Sequence, residues 1–209
     1  MTITGAGPGI MAAGNEGAGR EDSFGLDISL PFEASANEFI AGDPKLVKFN
    51  YFFTRKLSFV KEADAAVGLP GGFGTMDEIF EALTLIQTGK ASIYPIVLLD
   101  AKGGTYWKFW KQFVDEHLAR LGMISENDFH LFRVTDDVEE AVEEIVRWTS
   151  PVNYMKRVVA EDLEFRGQKL RKGENLVLFY ASANRDESVF EDPYSFRIDR
   201  DPNPGFGHR

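Results

Sequence analysis

Apolar and polar positions along the first two thirds of the chain switch between two periods. A tight Gly5-Ala6-Gly7-Pro8-Gly9 loop is followed by Ile10 to Gly19, whose spacing predicts a short helix. Phe24 to Leu30 alternates as a strand does. Pro44 to Lys61 reads as a helix, with Leu46, Phe49, Phe52, Phe53, Leu57 and Val60 making much of one apolar face. Strands are predicted at Ala63–Leu69, Ile93–Leu99 and about His130–Val134, and helices at about Met76–Thr88 and Tyr106–Leu121 and at Val138–Trp148. The run Ala65-Ala66-Val67-Gly68-Leu69 is apolar throughout, as in a buried strand. This alternation predicts an α/β fold: a Rossmann-like doubly wound parallel sheet with helices on both faces and ligand loops at the strand C-termini. The chain opens on Thr2-Ile3-Thr4, the end of a strand, where such a fold normally has a strand and helix ahead.

Beyond about Ser150 the pattern changes. Tyr154 to Tyr180 holds short alternating runs broken by Arg166-Gly167 and Lys172-Gly173-Glu174, which read as β-hairpins. Asp186 to Arg209 is polar, carries Pro193, Pro202 and Pro204, and reads as irregular coil. The boundary falls inside the helix at Val138–Trp148, which divides the chain into 1–145 and a C-terminal hairpin-and-coil appendage, 146–209.

The densest chemistry lies in Pro70-Gly71-Gly72-Phe73-Gly74-Thr75-Met76-Asp77-Glu78, between a predicted strand and a predicted helix. Glycines let backbone approach a ligand, the first N–H groups of a helix point outward, and the macrodipole favours an anion. Thr75 is placed to cap the helix and to offer a hydroxyl to a phosphate. Glu78 is out of place beside a bound phosphate and makes better sense as a carboxylate aimed at neighbouring chemistry.

Composition narrows the classes. A net charge of −10 argues against a nucleic-acid partner and suits a protein handling small molecules. The sequence has no cysteine, which removes disulfides, thiolate metal sites and a cysteine nucleophile. Met1-Thr2-Ile3-Thr4-Gly5 shows no basic region followed by an apolar stretch, and no apolar run reaches membrane-spanning length, so the expected location is cytoplasmic, with no membrane partner.

Three stretches together resemble the LONELY GUY (LOG) family of phosphoribohydrolases, often labelled "possible lysine decarboxylase": Gly5-Ala6-Gly7-Pro8-Gly9-Ile10-Met11, Phe53-Thr54-Arg55-Lys56, and Pro70–Glu78 with Leu85-Ile86-Gln87-Thr88-Gly89 after it. The resemblance implies hydrolysis of the N-glycosidic bond of nucleoside 5′-monophosphates, cytokinin ribotides included, without metal or organic cofactor. It implies Arg55 and Glu78 as the catalytic pair, and Gly71, Gly72, Gly74 and Thr75 as the phosphate loop. Lys56 would stand near the substrate and Met11 would border the base. It also implies a homodimer, and a scaffold lacking the family's first βα unit. Other readings stand beside these. Arg55 and Glu78 also fit a plain salt bridge between helices, Met11 fits core filler, and Asn15 and Asn37 fit caps of helices or turns. The run Asp136, Asp137, Glu139, Glu140 reads as a solvated helix face. No lysine sits in a recognisable pyridoxal-phosphate context.

The tail resembles a second family. Glu144-Ile145-Val146-Arg147-Trp148-Thr149-Ser150-Pro151, Gly167-Gln168-Lys169-Leu170, Ser182-Ala183-Asn184-Arg185-Asp186, Phe190-Glu191-Asp192-Pro193 and Phe196-Arg197-Ile198-Asp199-Arg200 are similar to the late part of cytochrome P-450 haem-thiolate monooxygenases. Glu144 and Arg147 would be that family's Glu-x-x-Arg pair, and at this spacing they equally fit an exposed helix pair. Asn203-Pro204-Gly205-Phe206-Gly207-His208 resembles the approach to the haem loop, but the sequence supplies no cysteine ligand, so no haem is expected.

Overall fold

A computed structural model describes residues 1–29, 35–150, 154–197 and 200. The Asn203–His208 stretch, Pro151, Pro202, Leu30, Ile198 and Asp199 therefore lie outside the described residues. The chain divides into two units, Met1–Tyr94 and Pro95–Arg209. The first contains β1 (Thr2–Thr4), α1 (Ile10–Ala18), β2 (Ser23–Ile28), β3 (Leu46–Phe49), α2 (Phe52–Glu62), β4 (Ala66–Gly68) and α3 (Phe73–Gln87). Strands β1, β2 and β3 form a parallel sheet in that order, with Thr2 opposite Ser23 and Gly25 opposite Leu46. Leu26, Ile28, Ile40, Val60, Ile79, Ala82 and Ile86 are buried.

Two sequence expectations change here. The helix expected over Pro44–Lys61 exists only from Phe52. Leu46–Phe49 instead pairs along Gly25–Ile28. Leu46 and Phe49 continue the three-to-four spacing of Phe52 and Phe53, but the ladder to β2 overrides that periodicity. The expected buried strand at Ala65–Leu69 shortens to Ala66–Gly68, and Val67 is 47% exposed.

The second unit contains β5 (Ile96–Leu99), α4 (Tyr106–Phe113), β6 (Arg133–Thr135), α5 (Val138–Thr149), β7 (Tyr154–Val158), β8 (Leu163–Phe165), β9 (Gln168–Leu170), β10 (Asn175–Phe179) and α6 (Tyr180–Ala183). Helix α4 is shorter than expected, because Val114–Ala119 continues it as a π-helical turn. Strands β5 and β6 are parallel; β8–β9 is an antiparallel hairpin turning at Arg166-Gly167 as the sequence predicts, while β10 pairs antiparallel with β7 rather than with β9. The α/β class with parallel strands and a hairpin appendage thus holds. Glu139 and Glu140 are exposed on α5 as the expected solvated face, whereas Asp136 and Asp137 precede the helix. Asp137 caps α5 through Glu140 N, and Asp136 accepts from Gly103 N at 2.8 Å.

One interaction organises this unit. Glu144 and Arg147 on α5 both have 0% exposure, so they are not an exposed helix pair. Arg147 donates to both Glu144 carboxylate oxygens at 2.6 and 2.7 Å, and to the carbonyls of Asn184, Pro193 and Ser195 at 2.9–3.1 Å. Those bonds use all the N–H donors of the guanidinium. Glu144 in turn accepts from Arg197 N. Beside this knot, Phe196 packs with Val97 and Ala141, flanked by Leu99, Ile145 and Trp148. The tail is tied to α5 by charge and sealed by one aromatic ring.

Because every donor of Arg147 is buried and engaged, Arg147→Met should cost about 3–5 kcal/mol, the range for breaking a buried pair. Glu143→Ala, exposed on the same helix, should change stability by less than about 0.5 kcal/mol. Urea unfolding of the two variants checks this, and equal effects would remove the knot from its organising role.

Candidate active site

Helices α2 and α3 bring together the two motifs that the sequence separates by more than a dozen residues. Arg55 Nη2 donates to Glu78 Oε1 at 3.1 Å. The guanidinium lies 5.5 and 5.8 Å from the ring centroids of Phe52 and Phe59, which shield it from water. Arg55 Nε is buried with no hydrogen-bond partner among the described residues. An unsatisfied donor of that kind calls for an acceptor. Burial raises the Glu78 pKa above 4.5, and it outweighs the opposing pull of Arg55 and Lys56. Desolvation is thus a larger influence on Glu78 than the cation beside it.

The glycine-rich loop sits at the start of α3. The helix begins at Phe73, three residues before the expected Met76, with Gly72 as its N-cap and no side-chain cap hydrogen bond. Thr75 is therefore not the cap. It lies in the first turn, where Thr75 N and Met76 N both bond Gly72 O. A Cβ on Gly71 would fall onto the Thr75 hydroxyl, so glycine is required there for close approach. A Cβ on Gly72 or Gly74 would meet open space. The first turn of α3 contains no acidic residue, which leaves the positive end of its dipole uncancelled. Glu78 lies six positions beyond Gly72, about 9 Å of helix rise.

Loop Gly5–Gly9 supplies a third wall. Met11 folds back over it, and a Cβ on Gly5 would lie 2.8 Å from Met11 Sδ and 3.9 Å from Arg55 Nη1. Met11 is partly exposed, so it is not core filler. Asn15 and Asn37 brace this loop, and Asn37 also caps a turn by accepting from Phe39 N at 3.2 Å. Asn37 Nδ2 donates to the carbonyls of Ala6 and Gly7 and to Asn15 Oδ1, and Thr4 Oγ1 donates to Asn15 Oδ1 at 2.8 Å. Those bonds hold buried Ala6 at φ 61°, a left-handed conformation costly for alanine.

Lys56 points to α3 as well. Its ammonium donates to Asp77 Oδ1 at 2.8 Å and pairs with Glu81 Oε2 at 2.6 Å. Burial pulls its pKa down, but the two carboxylates together outweigh burial and leave it above 10.5. Asp77 and Glu81 were not singled out from the sequence. Their signal was available: acids four apart share one helix face, and here they flank Glu78.

The family model described as "Possible lysine decarboxylase" matches residues 9–145, and the model for "Cytochrome P450" matches residues 114–202. Among curated proteins, the chain is 58% identical over 69 residues to a methyl-branched lipid omega-hydroxylase of Mycobacterium bovis, covering 32% of the chain and 16% of that protein. It is 52% identical over 71 residues to a steroid C26-monooxygenase of Mycolicibacterium smegmatis, covering 33% and 17%. The chain thus spans about a sixth of the length of these relatives. A thermophilic cytochrome P450 from Sulfolobus tokodaii is 48% identical over 32% of the chain and 18% of its own, with a TM-score of 0.31. With its match running from Gly9 through Arg55 and Glu78 into α5, the chain belongs to the possible lysine decarboxylase family, and its last third is similar to cytochrome P450.

Proposed function

We propose that residues 1–145 hydrolyse the N-glycosidic bond of nucleoside 5′-monophosphates, releasing free base and ribose 5-phosphate. The observation that carries this reading is a half-buried carboxylate, Glu78, gripped by Arg55 one turn inside an uncapped, glycine-rich helix start. The phosphate binds along the loop Gly71, Gly72 and Gly74 and at the Thr75 hydroxyl, and the base lies toward Met11. The part of the Arg55 guanidinium left exposed binds a ribose or phosphate oxygen. Water bonds to C1′ as the C1′–N bond breaks. The bonding pair leaves with the base, which takes up a proton, and the water gives up its own. Positive charge builds on the ribose as the base departs, and ionised Glu78 stabilises it and orients the water. Binding energy at the phosphate fixes the reacting carbon against Glu78.

Two cofactor readings fit the residues poorly. A Schiff-base lysine needs a lowered pKa, whereas the Lys56 ammonium is held between two carboxylates. A haem-thiolate centre needs an axial thiolate, and these 209 residues contain no cysteine. The knot at Glu144 and Arg147 instead ties Asn184, Pro193, Ser195 and Arg197 to α5. Tyr51, Phe53 and Leu57 on and beside α2 are exposed, Phe53 by 67%, which favours a homodimer through that face. No helix among the described residues is long and apolar enough to cross a membrane.

Incubation with AMP followed by chromatography should show free adenine. Glu78→Gln should lower the rate by about 100- to 1,000-fold while leaving the circular dichroism spectrum unchanged. Unaltered turnover in that variant would sink the reading. Because the ionised carboxylate is the working form and its pKa is raised, activity should fall with falling pH on a limb lying above 4.5. An acid limb below that value would place another group in the role. Light scattering should report a dimer that Phe53→Glu converts to monomer; a monomeric native protein would contradict that arrangement.

A further inference from the structure

Resting on the hydrolase reading, we infer that Lys56 is a positioning residue, which clamps α3 to α2 through Asp77 and Glu81 and thereby holds Glu78 in register with Arg55. Its ammonium is 2.8 Å from Asp77 Oδ1 and 2.6 Å from Glu81 Oε2, and its side chain is only 13% exposed. Asp77 and Glu81 lie one turn apart on the same face of α3, about 6 Å along the axis. A cation seated between two such carboxylates resists both sliding and rotation of one helix against the other. A single pair leaves rotation open, and Arg55–Glu78 is a single hydrogen bond of 3.1 Å.

Adjacency makes the clamp specific to the reacting pair. Lys56 follows Arg55 directly on α2, and Glu78 follows Asp77 directly on α3. The helices are therefore joined by two neighbouring rungs, one built for chemistry and one for alignment. Charge balance points the same way. With two carboxylates on one ammonium, the Lys56 cluster carries a net charge of −1 and repels a phosphate dianion. The uncapped start of α3, free of acids in its first turn, takes the phosphate instead.

Glu78 faces Arg55 and Lys56 from α2 and Asp77 from its own helix. Lys56 lowers its pKa and Asp77 raises it, in addition to the larger effect of burial. Removing either charge therefore moves Glu78 in opposite directions, a signature that a general loss of stability does not produce.

Steady-state kinetics with AMP on Lys56→Met, Lys56→Arg and Asp77→Asn test the clamp. Lys56→Met should lower kcat by about 10- to 100-fold, the scale of a small misplacement, with KM little changed. Lys56→Arg should recover much of that loss. The acid limb of the pH profile should move up in Lys56→Met and down in Asp77→Asn. A raised KM with kcat intact would make Lys56 a substrate ligand and overturn the inference. If Lys56→Met fails to fold, Asp77→Asn still decides by the direction of its limb. If the native protein releases no adenine, the hydrolase reading fails by itself. Carbon-13 titration of the Glu78 carboxyl, assigned by its loss in Glu78→Gln, then reads the same opposed shifts, and parallel or absent shifts would overturn the clamp.

Discussion

A carboxylate drawn partly out of water needs a cation close by, and the geometry of the first unit follows from meeting that need at Glu78. Arg55 meets it with one bond, shielded by Phe52 and Phe59. To do so, α2 and α3 must lie side by side at a fixed register, and the neighbouring Lys56 with Asp77 and Glu81 provides the means. The same register sets the uncapped start of α3 about 9 Å along the helix from the carboxylate. Anion site and charged reactive group are thus spaced by one element, on rigid backbone rather than on a long loop. Burial keeps the arrangement poised: Glu78 has a raised pKa, so its ionised form costs stability above that pKa, and the cost disappears as pH falls below 4.5.

The second unit solves a different problem, that of joining segments similar to two families. Helix α5 lies where the two family matches overlap. Its Ala141 and Ile145 pack with Val97 of β5, while Glu144 and Arg147 turn to the tail. Phe196 enters the same apolar cluster and meets Trp148 edge-on at 5.9 Å. A motif resembling part of a haem protein here serves as a buried cross-link, and the chain draws a continuous core from both segments.

Much of this was legible in the sequence, and the rest failed for identifiable reasons. Spacing gave α1, α3 and α5 closely, because nothing competes with their periodicity. Leu46–Phe49 misled because residues three apart continue the apolar stripe of α2, and only pairing with Gly25–Ile28 makes them a strand. The pairing of Arg55 with Glu78 followed from the family resemblance, and chemistry agrees, since a half-buried carboxylate is steadied by a nearby cation. The partners of Lys56 were not, because they depend on which face of α3 meets α2. Glu144 and Arg147 illustrate the same limit. Three apart on a helix, they read alike whether exposed or buried, and their burial is set by carbonyls 37 to 48 residues further on.

The central claim is that the glycine-rich start of α3 holds a phosphate so that Glu78 can act on the sugar. Comparing kcat/KM for AMP and for adenosine tests it most directly, since the two differ only in the group the loop binds. The account predicts that adenosine is poorer by at least about 100-fold, with much of the loss in kcat, because remote binding energy positions the reacting carbon. Equal values for the two substrates would contradict it.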